Sequence, residues 1–342
     1  FWLDELHSAW CVWGPLGEVL PRSQMGHQSP FYFVGLWQWK QLFGESEVGL
    51  RMTSVLAIAT SSVVLLFGVA RWTRSIAAGV ATGAVIAMEG NAIFFGTELR
   101  PFAFVILFAS LAVTCFLRLA NVDSRHNDQP GWATMIIAIL LAILCQPTAA
   151  GVLVFFPVGL GCIWMAKNRR QLFKTTRLDI VLGLLAAAVG LTIWRLTLAE
   201  TWQQRSDWAS FAQATHVEQI WQAWQWNWLL LIPLGVLFTS LAIAKLWKLQ
   251  PADRQVIVTT LTLSLIAIAA TSLFWSVARV DWVPIWHRRY FIAVLPILAC
   301  VVGGSVGQVE SLFRARSPAT VAGFVSAAAM VIGLVHHQGT LQ

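Results

Sequence analysis

Ten long apolar runs joined by short polar segments restrict this chain to very few architectures. They fall at 48–70, 76–95, 101–119, 132–145, 149–166, 178–198, 228–246, 256–277, 291–309 and 320–335. A helix needs about 20 apolar residues to cross the hydrocarbon of a bilayer. In that medium only helices and closed barrels satisfy their backbone N–H and C=O groups. Barrel strands would read as alternating segments of about 10 residues, and these runs do not alternate. The expectation is an all-α, polytopic transmembrane helix bundle. The run at 132–145 is short for a span, and Gln146-Pro147-Thr148 marks a turn before the next one. Phe1-Trp2-Leu3 reads as the tail of a further apolar run, so we expect a transmembrane helix to precede it.

Charge excludes the main alternative. Only 11% of residues are charged, against roughly 25% in soluble domains. So few polar side chains cannot cover a water-facing surface. The net charge of +7 does not point to nucleic acid, because the basic residues sit in short clusters between apolar runs. Arg71, Arg74, Arg118, Arg125, the 167–177 cluster, Lys245, Lys248, Arg254, Arg314 and Arg316 all fall on one set of alternate joints. Basic loops stay in the cytoplasm, which puts 4–47 and 200–227 on the other side. Of the five cysteines only Cys11 lies outside an apolar run, so neither a disulfide framework nor a zinc spacing is read.

Segment 4–47 is too apolar for a free loop. Leu3, Leu6, Trp10 and Trp13 recur at helical spacing, which predicts an amphipathic helix lying on the membrane, with 31–43 a second one. Loop 200–227 carries Trp202, Trp208, Trp221, Trp224 and Trp226. Tryptophan favours the headgroup level, so an anchor belt is the simplest reading; carbohydrate stacking or lipid guidance is the other.

Ionisable groups near hydrocarbon are costly, which makes their positions informative. Glu89 lies inside the run at 76–95. The rest gather at the non-cytoplasmic ends of the runs: Asp4, Glu5, His7, His27, Glu98, Arg100, Arg279, Asp281, His287, Arg288 and Arg289. Carboxylates and arginines from distant parts of the chain thus share one membrane face. Asp4-Glu5 also fits a helix N-terminus, where acids meet free N–H groups. Arg288-Arg289 fits either a headgroup anchor or a phosphate clamp, since the guanidinium fork matches phosphate oxygens. Glu98 and Arg100 fit a local ion pair at a turn. Asp4 and His7 stand one helical turn apart, a spacing that also allows a shared metal.

Several stretches, taken in order, resemble one family. Asp4-Glu5 is similar to the Asp-Glu that opens the first outer loop of GT-C glycosyltransferases. His27-Gln28-Ser29-Pro30-Phe31-Tyr32 resembles their His-Pro-Pro-Leu-Tyr stretch. Leu42-Phe43-Gly44-Glu45-Ser46-Glu47, followed by Arg51, resembles their Leu-Phe-Gly-x-Ser-Glu-x-x-x-Arg. Phe94-Phe95-Gly96-Thr97-Glu98-Leu99-Arg100-Pro101-Phe102 looks like their Tyr-Tyr-Ser-Gln-Glu-Ala-Arg-x-Tyr. Arg289-Tyr290-Phe291 with Leu295-Pro296 resembles their late Arg-Tyr-x-x-Pro region. The likeness is dense over 1–119 and sparse beyond, apart from 286–296. Gln28-Ser29, Thr97 and Phe102 depart from the pattern.

The resemblance implies a single transmembrane glycosyltransferase domain over 1–342, akin to protein O-mannosyltransferases and aminoarabinose transferases. It implies inverting transfer of a sugar from a polyprenyl-phosphate donor to a hydroxyl of an acceptor glycan, lipid or protein. The setting it implies is the outer face of a bacterial inner membrane, in cell-envelope synthesis. No nucleotide sugar is available on that face, so a lipid phosphate must carry the donor. Asp4 would be the general base, and Arg100, Arg288 and Arg289 would take the phosphate. Glu5, His27, Glu98 and Tyr290 would contact or orient substrate. A divalent metal assists some relatives, and its ligands are left open here. Two rival readings remain: a transporter, which would place polar groups at the midplane as only Glu89 does, and a non-catalytic assembly subunit.

Overall fold

The computed structural model describes residues 3–26, 28–121, 131–166, 181, 185, 188, 192, 212–245, 251–280, 285–313 and 319–339. His27, Asp281, Trp202, Trp208, most of the expected span at 178–198 and the basic cluster at 167–177 lie outside the described residues.

Three short helices come first: α1 (Leu3–Cys11), α2 (Leu16–Met25) and α3 (Pro30–Phe43). They match the two surface helices expected in 4–47, with one more between them. Helix α1 turns Glu5, Ser8 and Cys11 inward, while Leu3, Leu6 and Trp10 stay exposed. An outward apolar face suits contact with lipid. Gly14, at φ 135°, makes the turn from α1 to α2 in a backbone region that favours glycine. Its carbonyl accepts from Trp37 Nε1 at 2.8 Å. Arg22 donates to the carbonyls of Trp10 at 2.8 Å and Trp13 at 3.0 Å, closing the open end of α1. Cys11, Val12, Val19, Tyr32, Phe33, Leu36, Leu50 and Leu99 form a core of their own beneath these helices.

The bundle follows. Helix α4 (Glu47–Thr73) starts at Ser46, whose hydroxyl accepts from Gly49 N–H at 3.1 Å. Helices α5 (Ile76–Met88) and α6 (Gly90–Thr97) are followed by α7 (Phe102–Ala120) and α8 (Gly131–Cys145). After α9 (Ala150–Leu153) and α10 (Phe155–Ala166), the description resumes with α11 (Glu218–Gln222) and a π-helical turn at Asn227–Leu231. Then come α12 (Ile232–Lys245), α13 (Pro251–Arg279), a 3₁₀ turn at Arg288–Tyr290, α14 (Val294–Phe313) and α15 (Ala319–Gly339).

Among the described residues five stretches are long and apolar enough to cross a membrane: Glu47–Thr73, Phe102–Ala120, Pro147–Met165, Arg254–Arg279 and Val294–Ser311. The α5–α6 pair makes a sixth if counted as one broken span. Gly131–Cys145, Asn227–Ser240 and Val325–His336 are shorter apolar helices. The chain is thus the expected polytopic helical bundle.

Two expectations need correction. The run at 76–95 is not one straight helix. It bends by 56° between α5 and α6, because the Glu89 side chain accepts from Ala92 N–H at 3.0 Å and starts a new helix there. Nor do all the loop tryptophans form a belt. Trp224 and Trp226 are buried, with Trp224 Nε1 donating to Thr271 at 3.2 Å and Trp226 Nε1 to the Ile220 carbonyl at 2.8 Å. Trp221 is exposed.

Among the described membrane-length helices α14 is the most buried, and it packs against α4, α5, α7, α12, α13 and α15. Close approach explains its Gly303-x-x-x-Gly307. A methyl group at Gly303 would overlap Thr82 on α5, and one at Gly307 would overlap Thr73 on α4.

Candidate functional site

The site forms where α1, the α6–α7 turn, the start of α4 and the Arg288–Tyr290 turn meet at one end of the bundle. Helix direction brings them together. Helices α4, α7 and α14 begin at this end, and α6 finishes there.

Asp4 sits in the first turn of α1 with its side chain 60% exposed. One carboxylate oxygen, Oδ2, lies 3.6 Å from Arg100 Nη2 and 3.6 Å from Arg289 Nη1. Arg100 Nη1 also donates to the Asp4 carbonyl at 3.2 Å. Neither arginine is exposed: their side chains are 9% and 14% accessible. Arg100 leans on the Phe102 ring, and Arg289 on the Tyr290 ring, whose hydroxyl accepts from Arg289 Nη2 at 3.2 Å. The aromatic supports hold two cations at the mouth of the site with one exposed carboxylate between them.

Glu5 points the other way. Its carboxylate is buried and accepts from Arg51 Nε at 3.1 Å, Arg51 Nη2 at 2.6 Å and Leu99 N–H at 2.8 Å. Arg51 also pairs with Glu47 at 3.0 Å. Glu5 therefore ties α1 to α4 and to the α6–α7 turn. That is a strut beneath Asp4. In the sequence Arg51 stands only as the last residue of the Leu-Phe-Gly-x-Ser-Glu-x-x-x-Arg resemblance. Its i, i+4 spacing from Glu47 hides the longer-range partner.

Glu98 closes α6 and is half-buried. Its backbone carbonyl accepts from Ser54 at 2.6 Å. Burial pushes its carboxyl above the usual carboxylate range; Arg100 opposes this, and Glu5 and Asp4 add to it. His7 titrates below its ordinary value, chiefly through burial and then through Arg100. Its Nε2 lies 3.4 Å from Cys11 Sγ.

Arg288 sits apart from Asp4. It donates to the Gln222 carbonyl at 2.9 Å and to Asn91 Oδ1 at 3.4 Å. His287 Nδ1 accepts from Arg289 N–H at 3.3 Å, which starts the turn that presents both arginines. Partial burial, with Arg289 and Arg288 close by, lowers its pKa to about 4. The expected residues thus divide in three. Asp4, Arg100, Arg289, Tyr290 and Glu98 converge, Arg288 flanks them, and Glu5 supports them from below. Among the described residues no three His, Cys, Asp or Glu side chains are placed to hold a metal ion.

No protein-family model matches the sequence, and no curated protein matches it. Among solved structures, ArnT from Cupriavidus metallidurans in the apo state aligns over 90% of this chain, with a TM-score of 0.51 at 15% identity. A structure of ArnT bound to undecaprenyl phosphate also aligns over 90%, with a TM-score of 0.49 at 14% identity. The chain spans 65% of the length of the apo ArnT chain. The likeness establishes the fold, which is GT-C-like.

Proposed function

We propose that this GT-C-like bundle is a membrane glycosyltransferase that moves a sugar from a polyprenyl-phosphate donor to an acceptor hydroxyl on the extracytoplasmic face of a bacterial inner membrane. One observation carries the reading: the exposed Asp4 carboxylate lies 3.6 Å from both Arg100 and Arg289, at the membrane end away from Arg71, Arg74 and Arg118. Base and anion receptors stand side by side, as a displacement at an anomeric carbon requires. A lipid phosphate suits the donor's carrier, because Arg100 and Arg289 offer guanidinium groups to the phosphate that leaves.

Asp4 takes the proton of the acceptor hydroxyl as its oxygen bonds to the anomeric carbon. The bond from that carbon to the phosphate oxygen breaks, and its electron pair leaves on the phosphate. Arg100 and Arg289, with Arg288 beside them, stabilise the growing negative charge. A single displacement with one base inverts the anomeric centre. Base assistance of this kind gives about 10²–10⁴-fold in rate.

The test is a nanodisc assay with a panel of polyprenyl-phosphate sugars and candidate acceptors. Wild type should transfer a sugar, and Asp4→Asn should lose at least about 10²-fold in turnover. Transfer at the normal rate by Asp4→Asn would remove the base assignment. Solute uptake into proteoliposomes without any transfer would replace the whole reading with a transporter.

A further inference from the structure

Arg288 is exposed, yet its guanidinium is held in one orientation. Nη2 donates to the Gln222 carbonyl at 2.9 Å, and Nη1 reaches Asn91 Oδ1 at 3.4 Å. The other end of the same amide, Asn91 Nδ2, donates to Glu89 Oε1 at 2.7 Å. Glu89 is 1% exposed, and its second oxygen accepts from Ala92 N–H at 3.0 Å. A chain of hydrogen bonds therefore runs from a buried carboxylate at the 56° bend, through one asparagine, to an arginine at the membrane face.

We infer that Asn91, backed by Glu89, is a positioning residue that aims Arg288 at the donor phosphate. This rests on the donor reading above. Only an amide of this length suits position 91: it must accept from a guanidinium and donate to a carboxylate at once. An aspartate would have nothing to donate to Glu89. Glu89 fixes which way the amide faces: with Nδ2 held on its carboxylate, Oδ1 is turned towards Arg288. Arginine has five N–H donors, and the Asn91 and Gln222 bonds leave others for phosphate oxygens. A flexible side chain held in advance loses less freedom when the phosphate arrives. The buried Glu89 thereby acquires a role that neither transport nor a lone helix break supplies.

The experiment is a double-mutant cycle on donor KM and kcat in nanodiscs, using Asn91→Leu, Arg288→Ala and both together. Asn91→Leu should raise donor KM about tenfold, with a smaller fall in kcat, since the aimed contact exists with bound donor and strengthens as the phosphate leaves. Arg288→Ala should raise donor KM, and adding Asn91→Leu to it should change nothing more. Asn91→Ala, which removes both bonds without adding bulk, is read the same way if the leucine variant does not fold. Additive effects would overturn the inference alone, leaving Asn91 a structural residue of the bend. A normal donor KM for Arg288→Ala would instead overturn the phosphate role of Arg288, and the inference with it.

Discussion

The Glu5 carboxylate meets Arg51 with both oxygens, Oε1 at 3.1 Å from Nε and Oε2 at 2.6 Å from Nη2, and Oε1 also accepts from Leu99 N–H. A buried carboxylate with three donors fixes α1 against the bundle. Glu5→Gln leaves Arg51 with a neutral partner and Glu47. Breaking such a pair costs about 3–5 kcal/mol when it is fully buried; Arg51 is 30% accessible, so the lower end applies. Thermal unfolding in detergent should show a clear loss. A Glu5→Gln variant as stable as wild type, but with weaker acceptor binding, would make Glu5 a substrate contact instead.

Arg289 should separate from Asp4 in kinetics. Arg289→Ala removes a contact that exists with bound donor and strengthens as the phosphate leaves, so donor KM should rise and kcat should fall. Arg289→Lys should recover only part, because a point charge does not reproduce the guanidinium fork. Full recovery by lysine would reduce the role to charge alone. Unchanged donor binding in Arg289→Ala would favour a headgroup anchor.

Stability should depend on pH through Glu98. Its carboxyl titrates above the ordinary range, so the folded chain keeps that proton to higher pH than the unfolded chain does. The resulting stability is complete below about pH 4.3, the unfolded value, and is lost as pH rises through the raised folded value. Glu98→Gln keeps the neutral form at every pH and should flatten this part of the profile. Unfolding followed from pH 4 upward checks it: an unchanged slope in the variant would assign the loss to another group.

Topology can be read by cysteine labelling. With Cys162, the exposed native cysteine among the described residues, changed to Ser, Gln24→Cys and Arg74→Cys offer exposed sites at opposite ends of the bundle. An impermeant reagent applied outside should label Gln24→Cys alone. Labelling of both from the same side would contradict the orientation and the site placed on it.

Much of the fold was legible because lipid leaves the backbone so few solutions. Apolar length alone marked α4, α7, α13 and α14, and the spacing of Leu3, Leu6 and Trp10 marked α1. The bend at Glu89 was not legible, since the run at 76–95 is apolar on both sides and only the side-chain cap breaks it. Asp4, Arg100 and Arg289 were recognisable as charges on one membrane face. Their mutual distances were not, because they depend on how one helix and two distant turns pack. The resemblance gives Glu5 a part in orienting the acceptor or the arginines, without saying which arginine it meets. Adjacent residues on a helix point about 100° apart, and the inward one found Arg51. Asn91 carried no signal in the sequence, as one polar residue near a helix start is unremarkable.

The Gly303-x-x-x-Gly307 contact has a consequence for how such a protein can change over time. Arg288 and Arg289 lie just before α14, which is wedged among six other helices and tolerates no added bulk at those glycines. Asp4 rides on short helices at the bundle's edge, with a small core of their own. Arg288 and Arg289 therefore stand beside a helix with little room to drift, whereas Asp4 stands on a small unit that Glu5 ties to the bundle. A lineage descended from this chain should vary the small helices around Asp4 long before it varies the helix behind Arg288 and Arg289.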